Sequence, residues 1–488
     1  MLFNKSAIVS VFTQLLLNEG MTGEFTRKHF EDWFYHAVVD EKNSNLTRNT
    51  RIERYHVLRS MYECILNNIK QGRVSRKAVV SAIDKLISPA ILGYSKNTVG
   101  QRYTKEHNVP PPYFMVLSPT QRCNLNCAGC YASSLPGTQQ TLEWPVVERI
   151  ISEAHNLMGM RFFVISGGEP LLYESEGKKI FDLAEQFNSD AYFLMYTNGT
   201  LITNDIARRL ADLGNLTPAV SLEGFEDQTD KRRGKGTYGK IMNAFEKLCH
   251  QGVPFGISVT VTPENIDLML SDRFYEYCFD TLGATYMWMF HYMPIGREFA
   301  PHHMITPEQR FELFKKCKKV IREHPWFIAD FWNSAHASRG CISCAKGGNG
   351  YFYIDWNGNI MPCVFVPYFK DNVRNLYAQN KTLVDALFSD FFAGGRSWQQ
   401  RYIDRKENLL RPCLFRDHHG EFMDIAQGCN VKPQDDAARH AMEDTGYHAA
   451  LEDFGSRLAE LTDAYWREYF VESGETSGDN KNKAADRT

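Results

Sequence analysis

The strongest constraint on the fold is a regular alternation of short apolar runs with helical patterns in the middle of the chain. Such alternation is typical of parallel sheets, in which a right-handed helical crossover joins each strand to the next. These units either close part of a barrel or form an open wound sheet, and functional loops follow the carboxyl ends of the strands in both. The predicted strands span residues 113–117, 161–165, 191–196, 218–222, 255–261 and 285–292, and the predicted helices span residues 142–158, 178–187, 204–213, 238–251 and 267–281.

The regions on either side of this alternation have different patterns. The N-terminal region has apolar residues at helical spacing and no strand pattern, whereas the region after the alternation is rich in Gly, Cys and aromatic residues. We therefore predict a helical N-terminal domain at 1–109, an α/β core at 110–332, a small separate module at 333–436, C-terminal helices at 437–472 and a disordered polar tail at 473–488.

Charge and hydropathy exclude some classes of protein. The formal net charge is −3, without the basic field of a nucleic-acid-binding protein, so we expect no nucleic-acid partner. The apolar stretch at 7–17 is interrupted by Ser10, Thr13 and Gln14 and is too short to span a bilayer, and no cleavage site follows it. We expect a cytoplasmic protein without a secretion signal or transmembrane helix.

The N-terminal region nevertheless carries an unusual local charge. Residues 42–105 contain thirteen Lys or Arg residues and three acidic residues. One interpretation is a solvated basic face on a helical cap, which surface charge runs commonly form. The other is contact with an anionic lipid surface or substrate, which would place the protein peripherally on the inner face of the membrane.

Twelve cysteines in a chain without a secretion signal favour metal or redox sites over disulfides. Three of them, Cys123, Cys127 and Cys130, follow the first predicted strand with Cys-x3-Cys-x2-Cys spacing. Three thiolates suit a zinc ion with a fourth ligand elsewhere, or an iron–sulfur cubane that keeps one iron open to a small molecule. The spacing alone leaves both alternatives open.

Polar and glycine motifs follow the next predicted strands in order. Gly167-Gly168-Glu169 comes after the second strand, Asn198 after the third, and Ser221 and Glu223 end the fourth, before Arg232 and Arg233. Together with the cysteines, this series resembles the signature of radical S-adenosylmethionine (radical SAM) enzymes. The resemblance implies a partial (β/α)6 TIM-type barrel, a catalytic [4Fe-4S] cluster on the three cysteines, and S-adenosylmethionine near Tyr131, Gly167, Gly168, Glu169, Asn198, Ser221, Glu223, Arg232 and Arg233.

The same resemblance implies roles and a reaction. The Gly-Gly-Glu backbone would meet the methionine amino group, and Arg232 or Arg233 would pair with the methionine carboxylate. Gly129 stands where many family members carry an aromatic residue beside the adenine, and Tyr131 is a candidate to compensate. A small reductase of the flavodoxin or ferredoxin type would supply an electron, and S-adenosylmethionine would be cleaved to a 5′-deoxyadenosyl radical that abstracts hydrogen from an unactivated carbon.

A second cysteine group lies in the C-terminal module. Cys344, Gly358 and Cys363 have the spacing of twitch and SPASM extensions, and the Asn-Gly pair at 357–358 predicts a β-hairpin between the cysteines. This resemblance implies one auxiliary [4Fe-4S] cluster, for which the candidate ligands are Cys341, Cys344, Cys363 and Cys413. Structural zinc or unligated thiols are the alternative, and the sequence does not settle whether Cys429 contributes.

The substrate is the least constrained feature. The run at 287–297 is apolar on both faces and either packs in the barrel core or lines a substrate cavity. His291 and Arg297 are the candidate substrate contacts, and His418 and His419 are weaker candidates. The basic N-terminal region favours a lipid-like substrate, with a ribosomal peptide or a soluble small molecule as alternatives. A zinc-stabilised binding protein without catalysis is the alternative of a different class.

Overall fold

The computed structural model describes residues 24–40, 46–87 and 98–472. Its centre is a ten-stranded sheet with the order β11-β9-β8-β1-β2-β3-β4-β5-β6-β7, in which β1 to β7 are parallel. The six predicted strands are confirmed, and the α/β fold is a partial TIM barrel. The strands are β1 Phe114–Leu117, β2 Phe162–Ile165, β3 Tyr192–Thr197, β4 Leu216–Ser221, β5 Gly256–Val261, β6 Tyr286–His291, β7 Ile328–Asp330, β8 Tyr351–Ile354, β9 Asn359–Met361, β10 Tyr368–Phe369, β11 Asp371–Asn372 and β12 Lys432–Pro433.

Helices surround this sheet and form both ends of the described chain. Four of the five predicted core helices are present, and the fifth, at 267–281, is divided into Ile266–Met269 and a second segment that begins at Arg273. The helices Glu226–Arg233 and Pro307–Glu323 were not predicted. No described helix is both long enough and apolar enough to cross a membrane. The α-helices are Glu24–Val39, Arg48–Lys70, Arg76–Ala82, Thr98–His107, Trp144–Met158, Ile180–Gln186, Asn204–Leu213, Glu226–Arg233, Thr237–His250, Ile266–Met269, Arg273–Glu276, Pro307–Glu323, Ala335–Ser338, Val373–Ala378, Leu383–Leu387, Asp390–Asp404, Leu414–Asp417, His419–Gly428, Asp436–Glu443 and Thr445–Tyr465, with π-helical turns at Ile83–Ile87, Tyr277–Thr281 and Trp466–Glu472.

The C-terminal module joins the barrel sheet through its first strand. β8 pairs in parallel with β1, so that Phe114 lies opposite Tyr351 and Leu117 opposite Ile354. β8 and β9 form the predicted hairpin, in which Asp355 accepts hydrogen bonds from the main-chain nitrogens of Asn357 and Asn359. The module therefore extends the barrel sheet at the edge where β1 would otherwise be exposed.

The two faces of the sheet pack against different parts of the chain. In β1, Met115 and Leu117 belong to the large apolar core shared with the surrounding helices. Val116 belongs to a second core with Trp332, Tyr351 and residues of the C-terminal helices. Since successive strand residues point to opposite faces, the module covers the inner face of the barrel.

Several basic residues of the N-terminal region hold its helices on the barrel. Arg54, Arg59, Arg73 and Lys77 donate hydrogen bonds to the main-chain oxygens of Ala337, Arg322, Asp280 and Asp212, each in or near the last turn of a helix. Carbonyl groups at helix C-termini are unpaired within the helix and carry partial negative charge. These four charges are thus used within the protein, and the structure gives no support to a lipid-binding role for them.

Three features considered in the sequence lie outside the described residues. They are the apolar stretch at 7–17, the basic residues Lys42 and Lys96, and the polar tail at 473–488.

Replacement of Arg73 tests the docking of the N-terminal helices. Its guanidinium donates to the oxygens of Phe279 and Asp280 at 3.4 and 2.8 Å. We expect Arg73→Ala to lower the free energy of unfolding by about 1 kcal/mol, because two helix-terminal carbonyls lose a charged donor. The exposed Lys105 is the matched control, and Lys105→Ala should change the free energy of unfolding by less than about 0.5 kcal/mol in the same urea titration. Equal effects of the two substitutions would contradict this role of Arg73.

Candidate active site

A cavity of about 380 Å³ lies inside the barrel and contains the first cysteine group. Cys123, Cys127 and Cys130 line it, on the loop that follows β1. Seven of the nine predicted cofactor contacts also line it: Tyr131, Gly167, Gly168, Asn198, Ser221, Arg232 and Arg233. The parallel strands bring these loops together because their carboxyl ends lie at one edge of the sheet.

Close backbone contact joins the cysteine loop to the Gly167-Gly168 segment. The main-chain nitrogens of Gly168 and Glu169 donate to the oxygens of Thr120 and Arg122 at 2.9 and 2.8 Å. A Cβ atom on Gly168 would lie 2.3 Å from the Arg122 oxygen. Glycine is therefore required here by the approach of the two chains.

Tyr131 makes a further connection between these two segments. Its hydroxyl lies 2.7 Å from the Ser166 hydroxyl and accepts a hydrogen bond from the Gly167 nitrogen. The ring also borders the cavity. Tyr131 thus fixes the cysteine loop against the second strand end, in addition to any contact with a ligand.

Glu169 lies behind the cavity and is not among the residues that line it. Its carboxylate is fully buried and accepts hydrogen bonds from the Thr197 hydroxyl and the Asn198 nitrogen at 2.7 and 2.8 Å. Burial raises the pKa of this carboxyl above its usual range. The side chain joins the ends of β2 and β3, and it does not face the cavity.

Asn198 extends this connection to the cysteine loop. Its side-chain nitrogen donates to the Asn124 oxygen at 2.9 Å and lies 4.0 Å from the Cys123 sulfur. Its side-chain oxygen accepts hydrogen bonds from the Thr200 nitrogen and hydroxyl. The end of β3 therefore orients the first cysteine.

Glu223 also lies behind the cavity and holds two arginines at its wall. Its buried carboxylate accepts hydrogen bonds from Arg232 and Arg233 at 2.6 and 2.8 Å, and from the Thr260 nitrogen at 2.9 Å. Burial alone would raise the pKa of the Glu223 carboxyl, but the two guanidiniums hold it below its usual range. Two positive charges thus share one negative charge, and the excess positive charge suits an anionic group in the cavity.

Gly129 is explained by a neighbouring ring. The residue has a left-handed backbone, and a Cβ atom on it would lie 2.6 Å from the Tyr292 ring. Tyr292, which follows β6, lines the cavity beside Gly129. A tyrosine from a different strand thus occupies the space next to the position where many family members carry an aromatic residue.

The two predicted substrate contacts differ in position. Arg297 does not line the cavity, because its guanidinium donates to the main-chain oxygens of Cys127 and Ser134 on the cysteine loop. His291 does line the cavity, and its Nε2 lies 3.0 Å from the carboxylate of Asp330. Two weaker candidates named from the sequence, His418 and His419, lie outside both cavities described here.

A second cavity, of about 310 Å³, adjoins the first and contains the second cysteine group. Cys341, Cys344, Cys363 and Cys413 line it, whereas Cys429 lies beside Lys370 and Asp390. Both cavities share a wall that consists of Trp288, Phe331, Ile342, Tyr351 and Phe365. The wall residues that follow β6 in the chain were not predicted from the sequence. They become neighbours of the cysteines only when the C-terminal module folds onto the barrel.

The sulfur environments suit iron–sulfur clusters. The main-chain nitrogens of Leu125, Phe365 and Arg416 lie 3.4 Å from the sulfurs of Cys123, Cys363 and Cys413, and hydrogen bonds of this kind stabilise cluster thiolates. Burial raises the pKa of Cys123 to about 11, so iron would have to displace its proton. Within the described ranges, no three Cys, His, Asp or Glu side chains are grouped as a site for a metal ion.

Comparison with known proteins identifies the family. Residues 117–271 match the model of the Radical SAM superfamily. The chain contains a radical SAM domain. As in this family, its cofactors are a [4Fe-4S] cluster and S-adenosylmethionine, and the three cysteines of the first cavity have the matching donor set.

Individual relatives of this radical SAM enzyme have different named activities. The chain is 27% identical to Fe-coproporphyrin III synthase of Methanosarcina barkeri over 369 residues, which cover 69% of this chain and 90% of that protein. It is 28% identical to the sporulation killing factor maturation protein SkfB of Bacillus subtilis over 260 residues, which cover 52% of this chain and 60% of that protein. The structure of Streptococcus suis SuiB bound to S-adenosylmethionine aligns with a TM-score of 0.48 and 18% identity, covering 81% of this chain and 86% of SuiB.

Replacement of Gly168 tests the close contact beneath the cysteine loop. We expect Gly168→Ala to destabilise the protein by about 1–3 kcal/mol and to lower the iron retained after anaerobic reconstitution, because the added methyl group has to displace the Arg122 main chain. Gly239→Ala is the control, since a Cβ there would meet no atom within 4 Å from the rest of the described chain outside its own helix. Full iron retention in the Gly168→Ala protein would contradict the requirement for glycine.

Proposed function

We propose that this radical SAM enzyme abstracts hydrogen from a carbon of a peptide or protein substrate and uses an auxiliary [4Fe-4S] cluster next to the radical site. The observation that carries the proposal is the pair of adjoining cavities, one lined by Cys123, Cys127 and Cys130 and the other by four further cysteines. The proposed ligands of the auxiliary cluster are Cys341, Cys344, Cys363 and Cys413. With these four cysteines, each iron of the cluster has one thiolate ligand.

In the first cavity the protein binds and orients S-adenosylmethionine. When bound, the cofactor and the reduced cluster supply a 5′-deoxyadenosyl radical. The proposed partners of the methionine carboxylate are Arg232 and Arg233. Together they carry two positive charges, and Glu223 neutralises only one of them. Gly167 and Gly168 offer their main chain to the amino group, and Asn198 and Ser221 offer polar side chains to the ribose and carboxylate.

The opposite wall of the cavity would receive the substrate. Trp288, Phe290, Phe331 and Phe365 line it and exclude water from a reactive intermediate. His291 is the polar group on this side. Its Nε2–H donates to Asp330, while its Nδ1 has no hydrogen-bond partner among the described residues and suits a substrate N–H or O–H group.

A peptide is proposed as the substrate because of the names of two relatives. A lipid is not proposed, because the basic N-terminal residues have partners within the protein. SkfB is named as the maturation protein of a killing factor, and the mycofactocin maturase MftC of Mycolicibacterium smegmatis is 31% identical over 164 residues, 41% of its length. The lipid-like substrate depends on the basic N-terminal region, where Arg54, Arg59 and Arg73 bind main-chain oxygens instead.

The proposal also includes an electron donor of the flavodoxin or ferredoxin type.

A tetrapyrrole is the second candidate substrate. It is favoured by the match to Fe-coproporphyrin III synthase, which covers more of this chain than the match to SkfB. The aromatic wall of the cavity also suits a flat macrocycle. A tetrapyrrole carboxylate would compete with the methionine carboxylate for Arg232 and Arg233.

Deuterium transfer distinguishes the two substrates. The reconstituted, reduced enzyme would be incubated with S-adenosylmethionine and either peptides from cells grown on perdeuterated amino acids or iron coproporphyrin III deuterated in its propionate groups. We expect deuterium in 5′-deoxyadenosine with the peptides only. Transfer from the tetrapyrrole alone would favour the second candidate, and no transfer from either probe would contradict both.

Cysteine substitutions test the auxiliary cluster. We expect about eight irons per wild-type chain and about four in the Cys413→Ser protein, because the second cluster loses one of four thiolates. Cys429→Ser is the matched control and should retain the wild-type iron content, since Cys429 lies outside the cavity. Iron and acid-labile sulfide are measured after anaerobic reconstitution. Wild-type protein with zinc and no iron would contradict the proposed function.

A further inference from the structure

We propose that Tyr351 sets the redox potential of the auxiliary cluster through a hydrogen bond from its hydroxyl to the sulfur of Cys363. The inference rests on the proposed function, because it requires a cluster in the second cavity. It assigns a positioning role to a side chain that binds neither S-adenosylmethionine nor iron. The observation that carries it is the 2.9 Å distance between the Tyr351 Oη and the Cys363 Sγ.

The position of the Tyr351 hydroxyl is fixed by the fold. Tyr351 begins β8, is 1% exposed, and lies opposite Phe114 in the parallel pairing with β1. The rings of Tyr351 and Phe114 stack with centroids 4.9 Å apart and planes 5° apart. The strand pairing fixes the main chain of Tyr351, and the second core packs around its ring. The hydroxyl therefore cannot turn away from the sulfur unless the strand pairing and the core packing are both disturbed.

The direction of the hydrogen bond follows from the chemistry of the two groups. A thiolate that binds iron has no proton to donate, so the phenol must be the donor. A tyrosine phenol keeps its proton at neutral pH. The Phe365 nitrogen lies 3.4 Å from the same sulfur. Cys363 therefore has two donors, of which the phenol is the closer.

The effect on the potential has a defined sign. Reduction adds negative charge to a cluster and its thiolates, and a donor stabilises the reduced state more than the oxidised state. Loss of the phenol should therefore make the cluster harder to reduce. Since Tyr351 lines both cavities, the residue that controls the charge on this sulfur also borders the space where the radical is formed.

Tyr353 is a matched control on the same strand. Its side chain is also 1% exposed and belongs to the same inner core, but its hydroxyl donates to the Ser118 hydroxyl at 3.0 Å. Tyr351→Phe and Tyr353→Phe thus remove the same atom from equivalent buried positions. Only the first removes a donor to sulfur.

The test is a redox titration of the full-length reconstituted enzyme, monitored by electron paramagnetic resonance. At equal iron content, we expect Tyr351→Phe to lower the ratio of reduced to oxidised auxiliary cluster about tenfold at a fixed potential, which is about 59 mV for one electron. The signal of the cluster on Cys123, Cys127 and Cys130 should titrate as in wild type. Tyr353→Phe should leave both clusters unchanged.

A second variant covers the case in which Tyr351→Phe fails to retain iron. A fluorinated tyrosine placed at position 351 keeps the shape of the side chain and makes the phenol a stronger donor, so the auxiliary potential should rise. An unchanged potential in the variants that hold both clusters would overturn the inference. Absence of a second cluster from wild-type protein, with about four irons per chain, would instead overturn the proposed function.

Discussion

The parallel pairing of β8 with β1 is the contact on which the arrangement of the two cavities depends. It joins strands about 235 residues apart in the chain, as the hydrogen bond between Tyr353 and Ser118 illustrates. Because side chains alternate along a strand, the same register sends Tyr351 and Tyr353 to the inner face and Phe352 and Ile354 to the outer core. The second cysteine cavity is thereby placed directly beside the first.

Buried carboxylates hold the loops around this junction. Glu169 joins the ends of β2 and β3, and Glu223 holds Arg232 and Arg233 at the cavity wall. Asp417 does similar work in the C-terminal module, where it pairs with Arg310 at 2.7 Å and Arg416 at 2.9 Å. Burying such charges is costly unless each is paired, so these groups favour one specific arrangement of the loops more than they add stability.

Trp332, which contacts Phe331 and Phe365 of the wall between the cavities, depends on that arrangement. Trp332 stacks with His291 at 5.2 Å, and the Arg416 guanidinium lies 4.9 Å from the Trp332 ring centre. The paired Asp417 and the helices behind it thus support the ring against which His291 is held. A side chain at the radical site is oriented in this way by charges that lie outside the cavity.

The sequence by itself determined the repeating strands and helices, the hairpin around Gly358 and the cysteine spacings, since each depends on local periodicity or on a few neighbouring residues. It did not show that Glu169, Glu223 and Arg297 turn away from the cavity, because a motif places a residue at a strand end without deciding which polar group it meets there.

Tertiary structure alone decided the remaining features. The three-residue strand β7 is too short for periodicity to reveal, and the pairing of β8 with β1 depends on hydrogen bonds between distant segments. The sequence offered two interpretations of the basic N-terminal residues, a solvated face and a lipid contact. Only their position against the helix ends of the barrel shows that Arg54, Arg59, Arg73 and Lys77 have a third role, as donors to main-chain oxygens. Local chemistry fixes which groups a segment offers, whereas the packing of distant segments fixes which partners those groups meet.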